Sequence, residues 1–217
     1  MIIEQIPVRL GELEIFSYLI ACPDTKEGII IDPAAEIPKI MNKIKNNGVK
    51  IKYIVNTHAH PDHIAGNKEM KILTGAKIVL HEADVAFFQT EEAKDVFRTL
   101  GLFCLPEADI LVKDKDILEM GTLKINIIHT PGHTPGSICV YINGNLFTGD
   151  TLFVGAVGRT DLPGGSFEQL LDSIKEKILP LPDETIIWPG HGYEGDRSTL
   201  AKEKQENLFI TEFILGN

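Results

Sequence analysis

The sequence predicts an α/β protein in which two β-sheets pack face to face and helices cover their outer sides. Two strand-rich stretches, one within residues 13–55 and one over Asp109–Phe147, are flanked by segments of helical period, and such layers bury their apolar faces by stacking. The chain has 217 residues, 43% of them hydrophobic and 24% charged, enough for a sizeable core and unlike disordered or collagen-like composition. No apolar run approaches the roughly 20 residues that span a bilayer.

The first third reads as strand, strand, strand, helix, strand. Leu13–Cys22 is rich in β-branched and aromatic residues, and Gly28–Ile31 ends in the turn pair Asp32-Pro33. Ile37, Ile40, Met41 and Ile44 then recur at helical spacing, with Gly48 where a C-cap belongs. Ile51–Val55 is a short strand that delivers the chain into Asn56-Thr57-His58. His63–Leu73 reads as helix, Lys77–Leu80 as strand, and Glu82–Leu100 as one or two helices. From Asp109 to Phe147, short apolar runs alternate with turns such as Asn143-Gly144, which predicts consecutive antiparallel strands. Ser166 and Gln169 form a capping-box pattern ahead of Leu170, Leu171, Ile174 and Ile178. Thr185–Trp188 is a further strand, and a polar helix is expected from about Ser198.

Charge and cysteine content narrow the function. Lys and Arg number 21 against 31 Asp and Glu, a formal net charge of -10, which argues against a broad basic surface for nucleic acid. Cys22, Cys104 and Cys139 are odd in number and widely spaced, so they read as reduced core thiols of a cytoplasmic protein. The N-terminal MIIEQIPVRL has neither the basic start nor the apolar stretch of a signal peptide.

The run His58-Ala59-His60-Pro61-Asp62-His63 sets four metal-ligand types within six positions. In an extended segment, residues two apart point the same way, so His58 and His60 can share one metal. Pro61 ends the extended stretch, Asp62 is a natural N-cap, and the turn re-aims Asp62 and His63 toward a second position. His133, Asp150 and His191 lie at later strand ends, each preceded by Gly, which lets backbone approach a crowded site. Seven ligands suit two ions that share a carboxylate: His58, His60 and His133 for one, Asp62, His63 and His191 for the other, and Asp150 between them. Such donors fit two divalent ions, zinc foremost, with iron and manganese also suited; the absence of a ligating Cys argues against a thiolate structural zinc site.

The motifs HAHPDH, TPGHT, TGD and PGH, in this order across roughly residues 50 to 195, resemble the metallo-β-lactamase superfamily. Within it, Gly158-Arg159-Thr160-Asp161 and the Gly-Gly-Ser before an amphipathic helix look most like the glyoxalase II group of thioester hydrolases. The resemblance implies an α/β four-layer αββα sandwich of two mixed sheets, with the site at one edge of both. It implies one catalytic domain over 1–217, without the full C-terminal glutathione-binding appendage of glyoxalase II proper. It also implies hydrolysis of an acyl-glutathione-like thioester by a hydroxide bridging two ions, with Asp62 as ligand and proton acceptor. Arg159 and Tyr193 take positions like those of substrate contacts in that group, although Arg159 and Asp161 could equally pair with each other. The expected partner is a small molecule, with no nucleic acid and no membrane, and a homodimer is left open.

The rival reading is an iron persulfide dioxygenase using only His58, His133 and Asp150 on one iron. The stretch from His191 through Ser198, Thr199 and Glu203 resembles that group as well. A metal-binding module without turnover is the third reading. His81, His129 and Cys139 read as structural, and Lys202–Lys204 as a solvated helix face.

Overall fold

In the computed structural model, residues 1–99 and 106–216 are described; Cys104 and the predicted helix end at Leu100 fall outside them. Strands β1 (Ile2–Leu10), β2 (Leu13–Ala21) and β3 (Glu27–Ile31) form an antiparallel meander. Helix α1 (Ile37–Asn47) crosses to β4 (Lys50–Val55), which lies parallel to β3. Helices α2 (Pro61–Ile64) and α3 (Asn67–Thr74) lead to β5 (Lys77–His81), and α4 (Glu82–Phe87) and α5 (Glu91–Thr99) precede β6 (Ile110–Val112). These six strands form one mixed sheet in sequence order.

The second sheet starts with the antiparallel strands β7 (Ile117–Met120), β8 (Leu123–His129), β9 (Ile138–Ile142) and β10 (Asn145–Gly149). Helix α6 (Phe167–Ser173) then runs into a π-helical turn, Ile174–Ile178, before β11 (Ile186–Pro189) pairs parallel to β10. The two-residue β12 (Ser198–Thr199) closes the edge, followed by α7 (Leu200–Glu206) and a second π-helical segment, Phe209–Ile214.

Three apolar clusters define four layers. Between the sheets, Tyr18, Ile20, Ile29, Ile31 and Val55 meet Ile127, Val140, Phe147 and Trp188. Alternate residues of the first sheet, Leu19, Ile30 and Ile54, point the other way, onto Ile37, Ile40 and Ile44 of α1 and Met70 of α3. Cys139, Leu146 and Ile187 on the outer face of the second sheet pack on Leu170, Ile174, Ile178 and Ile210. The two-residue period of a strand thus serves two cores at once, which is why Gly28–Ile31 of β3 carries no polar side chain. This is the αββα sandwich that the resemblance implied.

Five expectations need correction. Strand β6 does not continue the antiparallel series: it pairs parallel with β5 in the first sheet, and only β7–β10 run consecutively antiparallel. Three apolar residues carry no register of their own. The helix expected over His63–Leu73 is two helices, since Gly66 packs so tightly that a Cβ there would lie 2.1 Å from the Pro33 carbonyl oxygen. Asp62 is not the cap of α2: His60 is, with Pro61 at the first helical position it favours, so Asp62 sits in the first turn with its carboxylate toward His63 and His191. The capping box at Ser166 is half made: its hydroxyl accepts from the Gln169 backbone N–H, whereas its own N–H donates to the Gly132 carbonyl. The last helix begins at Leu200, with the Thr199 hydroxyl as its cap.

Candidate metal centre

All seven sequence-selected ligands meet at one edge of the sandwich. His58, His60, Asp62 and His63 follow β4, His133 lies in the turn between β8 and β9, Asp150 directly follows β10, and His191 lies just past β11. Close backbone approach makes this possible. At Gly149, with φ of 49°, a Cβ would lie 2.3 Å from Thr57 Oγ1; at Gly190 one would lie 2.3 Å from Asp150 Oδ1.

Among the described residues three groups of three potential donors result, one of which, Asp32, His58 and His63, is engaged in hydrogen bonds through Asp32 and Thr57, leaving two. Ligand atoms of His58, His60 and His133 lie within 4.8 Å of one another, and so do those of Asp62, His63 and His191. Asp150 stands between them: Oδ2 is 3.6 Å from His133 Nε2 and 3.4 Å from His191 Nε2, and Oδ1 is 3.5 Å from His63 Nε2. His63 and His191 face each other with their Nε2 atoms 3.3 Å apart. That is about the separation of two ligand atoms on a tetrahedral zinc with bonds of roughly 2.0–2.1 Å.

The hydrogen bonds fix which nitrogen faces the site. His63 Nδ1 donates to Asp32 Oδ2 at 2.9 Å, His133 Nδ1 to the Arg159 carbonyl at 2.7 Å, and His191 Nδ1 to the Glu14 carbonyl at 2.6 Å. His58 Nδ1 donates to Thr57 Oγ1 at 3.1 Å, and that hydroxyl donates to Asp32 Oδ2 at 2.6 Å. Each acceptor holds its imidazole with the proton on Nδ1 and the Nε2 lone pair toward the centre. The buried Nε2 atoms of His58, His60 and His133 and the Oδ1 of Asp150 have no hydrogen-bond partner. Leaving a buried acceptor unsatisfied costs about 1–3 kcal/mol, so four that converge on one place fit bound cations.

The electrostatics agree. Burial and the neighbouring imidazoles push His58 and His60 well below the ordinary histidine range, which keeps them neutral and able to ligate. Burial opposes charge on Asp150, but His191, His63 and His133 outweigh it and hold the carboxyl well below its usual value. Burial likewise opposes a proton on His63, yet Asp150, Asp62 and Asp32 raise it to about 10. The carboxylates there draw in positive charge.

Residues 10–191 match the metallo-beta-lactamase superfamily. The chain belongs to that superfamily. It is 35% identical over 199 residues to the hydroxyacylglutathione hydrolase GloC of Haemophilus influenzae, covering 86% of this chain and 89% of the relative. It is 33% identical over 213 residues to the mitochondrial persulfide dioxygenase ETHE1 of Homo sapiens, covering 93% of this chain and 76% of the relative. Among solved structures, the BLEG-1 B3 metallo-beta-lactamase superposes with a TM-score of 0.85 at 34% identity, over 97% of this chain and all of the other. TTHA1623 in a di-iron-bound form superposes with a TM-score of 0.78 at 32% identity, over 94% and 99%.

The candidate site also rests on buried residues that the motifs did not reveal. Asp32, read as turn chemistry, is 1% exposed; besides serving His63 and Thr57 Oγ1 it accepts from the Thr57 N–H at 2.8 Å. A carboxylate directly after the apolar run Gly28–Ile31 was the available signal. Asp84, fully buried on α4, accepts from the Ala59 N–H at 2.7 Å, the Gly136 N–H at 2.6 Å and the Thr134 hydroxyl at 3.0 Å. It ties the His58-Ala59-His60 segment to the turn carrying His133, and burial raises its carboxyl to about 6 against the pull of these donors. His81 caps α4 by accepting from the Ala83 N–H and stacks on His129 at 3.9 Å between ring centroids.

Of the two expected substrate contacts, Arg159 is bound to Asp161 by two hydrogen bonds of 2.7 Å and reaches the site mainly through its carbonyl, which holds His133. Tyr193 is 65% exposed and stacks on the His191 ring at 5.3 Å. Both line a cavity of about 230 Å³ over the ligands, walled on its apolar side by Leu13, Phe97 and Leu162. Among the described residues, no helix is long and apolar enough to cross a membrane.

Proposed function

We propose that this chain is a single-domain, dinuclear metallohydrolase that cleaves the thioester of a small thiol, the acyl-glutathione type, in the cytoplasm. What supports two ions is the second donor group. Persulfide dioxygenation would need only His58, His133 and Asp150, yet Asp62, His63 and His191 form a compact set of their own, oriented by Asp32 and the Glu14 carbonyl. Two divalent ions held by these residues, zinc foremost, would acidify a water and polarise the thioester carbonyl.

The protein's own residues do the rest. The Nδ1 acceptors aim the imidazoles of His58, His63, His133 and His191, so little reorganisation is left for the reaction. Asp62 Oδ2 lies 3.8 Å from both His63 Nε2 and His191 Nε2, partly open to the cavity, where it orients the attacking water and takes its proton. The water oxygen bonds to the acyl carbon, the C–S bond breaks, and the thiolate leaves with the electron pair. Leu13, Phe97 and Leu162 keep bulk water from the reacting carbonyl.

The test is zinc-loaded protein offered acyl-glutathione thioesters, with thiol release followed by a chromogenic disulfide, alongside glutathione persulfide in an oxygen electrode and a chromogenic β-lactam. Thioester turnover at least a hundredfold above background, lost in Asp62→Asn, supports the reading. Turnover of the persulfide or the β-lactam alone would reject it.

A further inference from the structure

Between the two sheets, β2 carries a hydroxyl where hydrocarbon would serve. Phe16, Tyr18 and Ile20 alternate into that core, and Tyr18 is 2% exposed, its ring edge-on to Phe147 at 5.0 Å and to Trp188 at 6.0 Å. The hydroxyl adds nothing to this packing and is costly there unless it is bonded.

It is bonded on both sides. Tyr18 Oη donates to the Pro189 carbonyl at 2.5 Å, reaching from the first sheet to the second, and accepts from Gln5 Nε2 at 3.0 Å. Gln5 Nε2 also donates to the Asp196 carbonyl at 2.7 Å. One hydroxyl and one amide of the first sheet thus hold both ends of residues 189–196, the segment on which His191 sits. Burial raises the Tyr18 hydroxyl well above its ordinary value, so it stays a donor.

The segment needs such a hold. Pro189 has no N–H to give to the ladder, and the pairing of β10 with β11 shifts register just before Gly149 meets Pro189. Beyond it, the Phe16 N–H donates to the Gly190 carbonyl at 2.8 Å, and His191 Nδ1 donates to the Glu14 carbonyl. Tyr18, Phe16 and Glu14, two apart on β2, therefore meet Pro189, Gly190 and His191 in order. The strand is a template along which the chain is laid out to His191. Among the described residues, the side-chain hydrogen bonds of Tyr18 and Gln5 go to no segment bearing His58, His60 or His133, which are joined through Asp84 instead.

We propose that Tyr18 is a positioning residue for the ion of Asp62, His63 and His191 alone. Its hydroxyl fixes where the end of β11 lies and hence where His191 Nε2 points, so the two ion positions have separate supports and one can be weakened without the other. The proposal rests on the two-ion part of the reading above and not on its substrate.

The experiment measures zinc binding to the full chain by competition with a chromogenic chelator, in two backgrounds that each leave one donor group. In His58→Ala/His60→Ala, which keeps Asp62, His63 and His191, Tyr18→Phe is expected to weaken zinc by about tenfold, the lower end of what losing a ligand's support costs. In Asp62→Ala/His191→Ala, which keeps His58, His60 and His133, the same change should leave affinity within about twofold, because the two supports are independent. Tyr18→Phe retains the ring contacts, and circular dichroism of the metal-free chains checks that each is folded. Gln5→Leu removes the amide that holds the hydroxyl and should act in the same direction by about threefold, which keeps the test open should Tyr18→Phe not fold.

With two zinc ions on the parent chain, equal weakening in both backgrounds, or no weakening in the first by either variant, would overturn the proposal and leave the two-ion reading intact. A parent chain that binds one zinc ion would remove that reading and the proposal with it. Two ions and selective weakening without thioester turnover would leave Tyr18 in its role and remove the hydrolase.

Discussion

Replacing Asp84 by Ala should damage both the fold and the metal centre, though Asp84 is none of the seven ligands. The side chain accepts three hydrogen bonds in full burial. The Thr134 hydroxyl can turn to Ser137 Oγ, 2.8 Å away, but the Ala59 and Gly136 N–H groups lose the acceptor they now have. Two unsatisfied buried donors at about 1–3 kcal/mol each give a loss of about 2–6 kcal/mol. With a guanidinium slope of about 4 kcal/mol/M, the unfolding midpoint falls by about 0.5–1.5 M. Asp84→Asn should fare little better, because its amide NH2 points a donor at a donor. The segments holding His58, His60 and His133 lose their common anchor, so metal affinity should drop by about tenfold in a chelator competition, the lower end of what losing a ligand's support costs. Equilibrium unfolding of the metal-loaded variants by circular dichroism, with that competition, checks both. A variant within 0.5 kcal/mol of wild type with unchanged metal affinity would refute the reasoning.

Asp32→Asn replaces a carboxylate that accepts from His63 Nδ1 and Thr57, so zinc affinity should fall by about 10–100-fold, read by competition with a chromogenic chelator; unchanged affinity would remove Asp32 from the account. Burial and the His129 ring push His81 down to about 4. The folded chain therefore binds fewer protons at His81 than the unfolded chain between about pH 6.5 and 4, and the stability this residue contributes is lost as pH falls through that window. His81→Asn keeps a capping side chain and removes the titration, so it should lose less stability than wild type between pH 7 and pH 5; parallel losses would contradict this.

The donor set was legible where its geometry is local. His58 and His60 share a face because extended residues alternate, and Gly132, Gly149 and Gly190 each mark a ligand that follows. The layering was legible because the run Gly28–Ile31 of β3 is apolar on both faces. What the sequence concealed is held by long-range contacts with no local period. Asp32 meets His63 across 31 positions, Asp84 meets Gly136 across 52, and His191 finds the Glu14 carbonyl across 177. The parallel pairing of β6 was hidden because Ile110–Val112 is too short to show which sheet it joins. The engagement of Arg159 by Asp161 was foreseen only as an alternative to a substrate contact, since spacing alone does not say where a guanidinium turns.

The central claim is a two-metal centre for hydrolysis, and metal content measured with turnover tests it most directly. Elemental analysis of protein purified without added metal, followed by thioester and persulfide assays on the same sample, should give two divalent ions per chain, thiol release from thioester, and no oxygen uptake. One iron per chain with oxygen consumed in proportion to persulfide would contradict it.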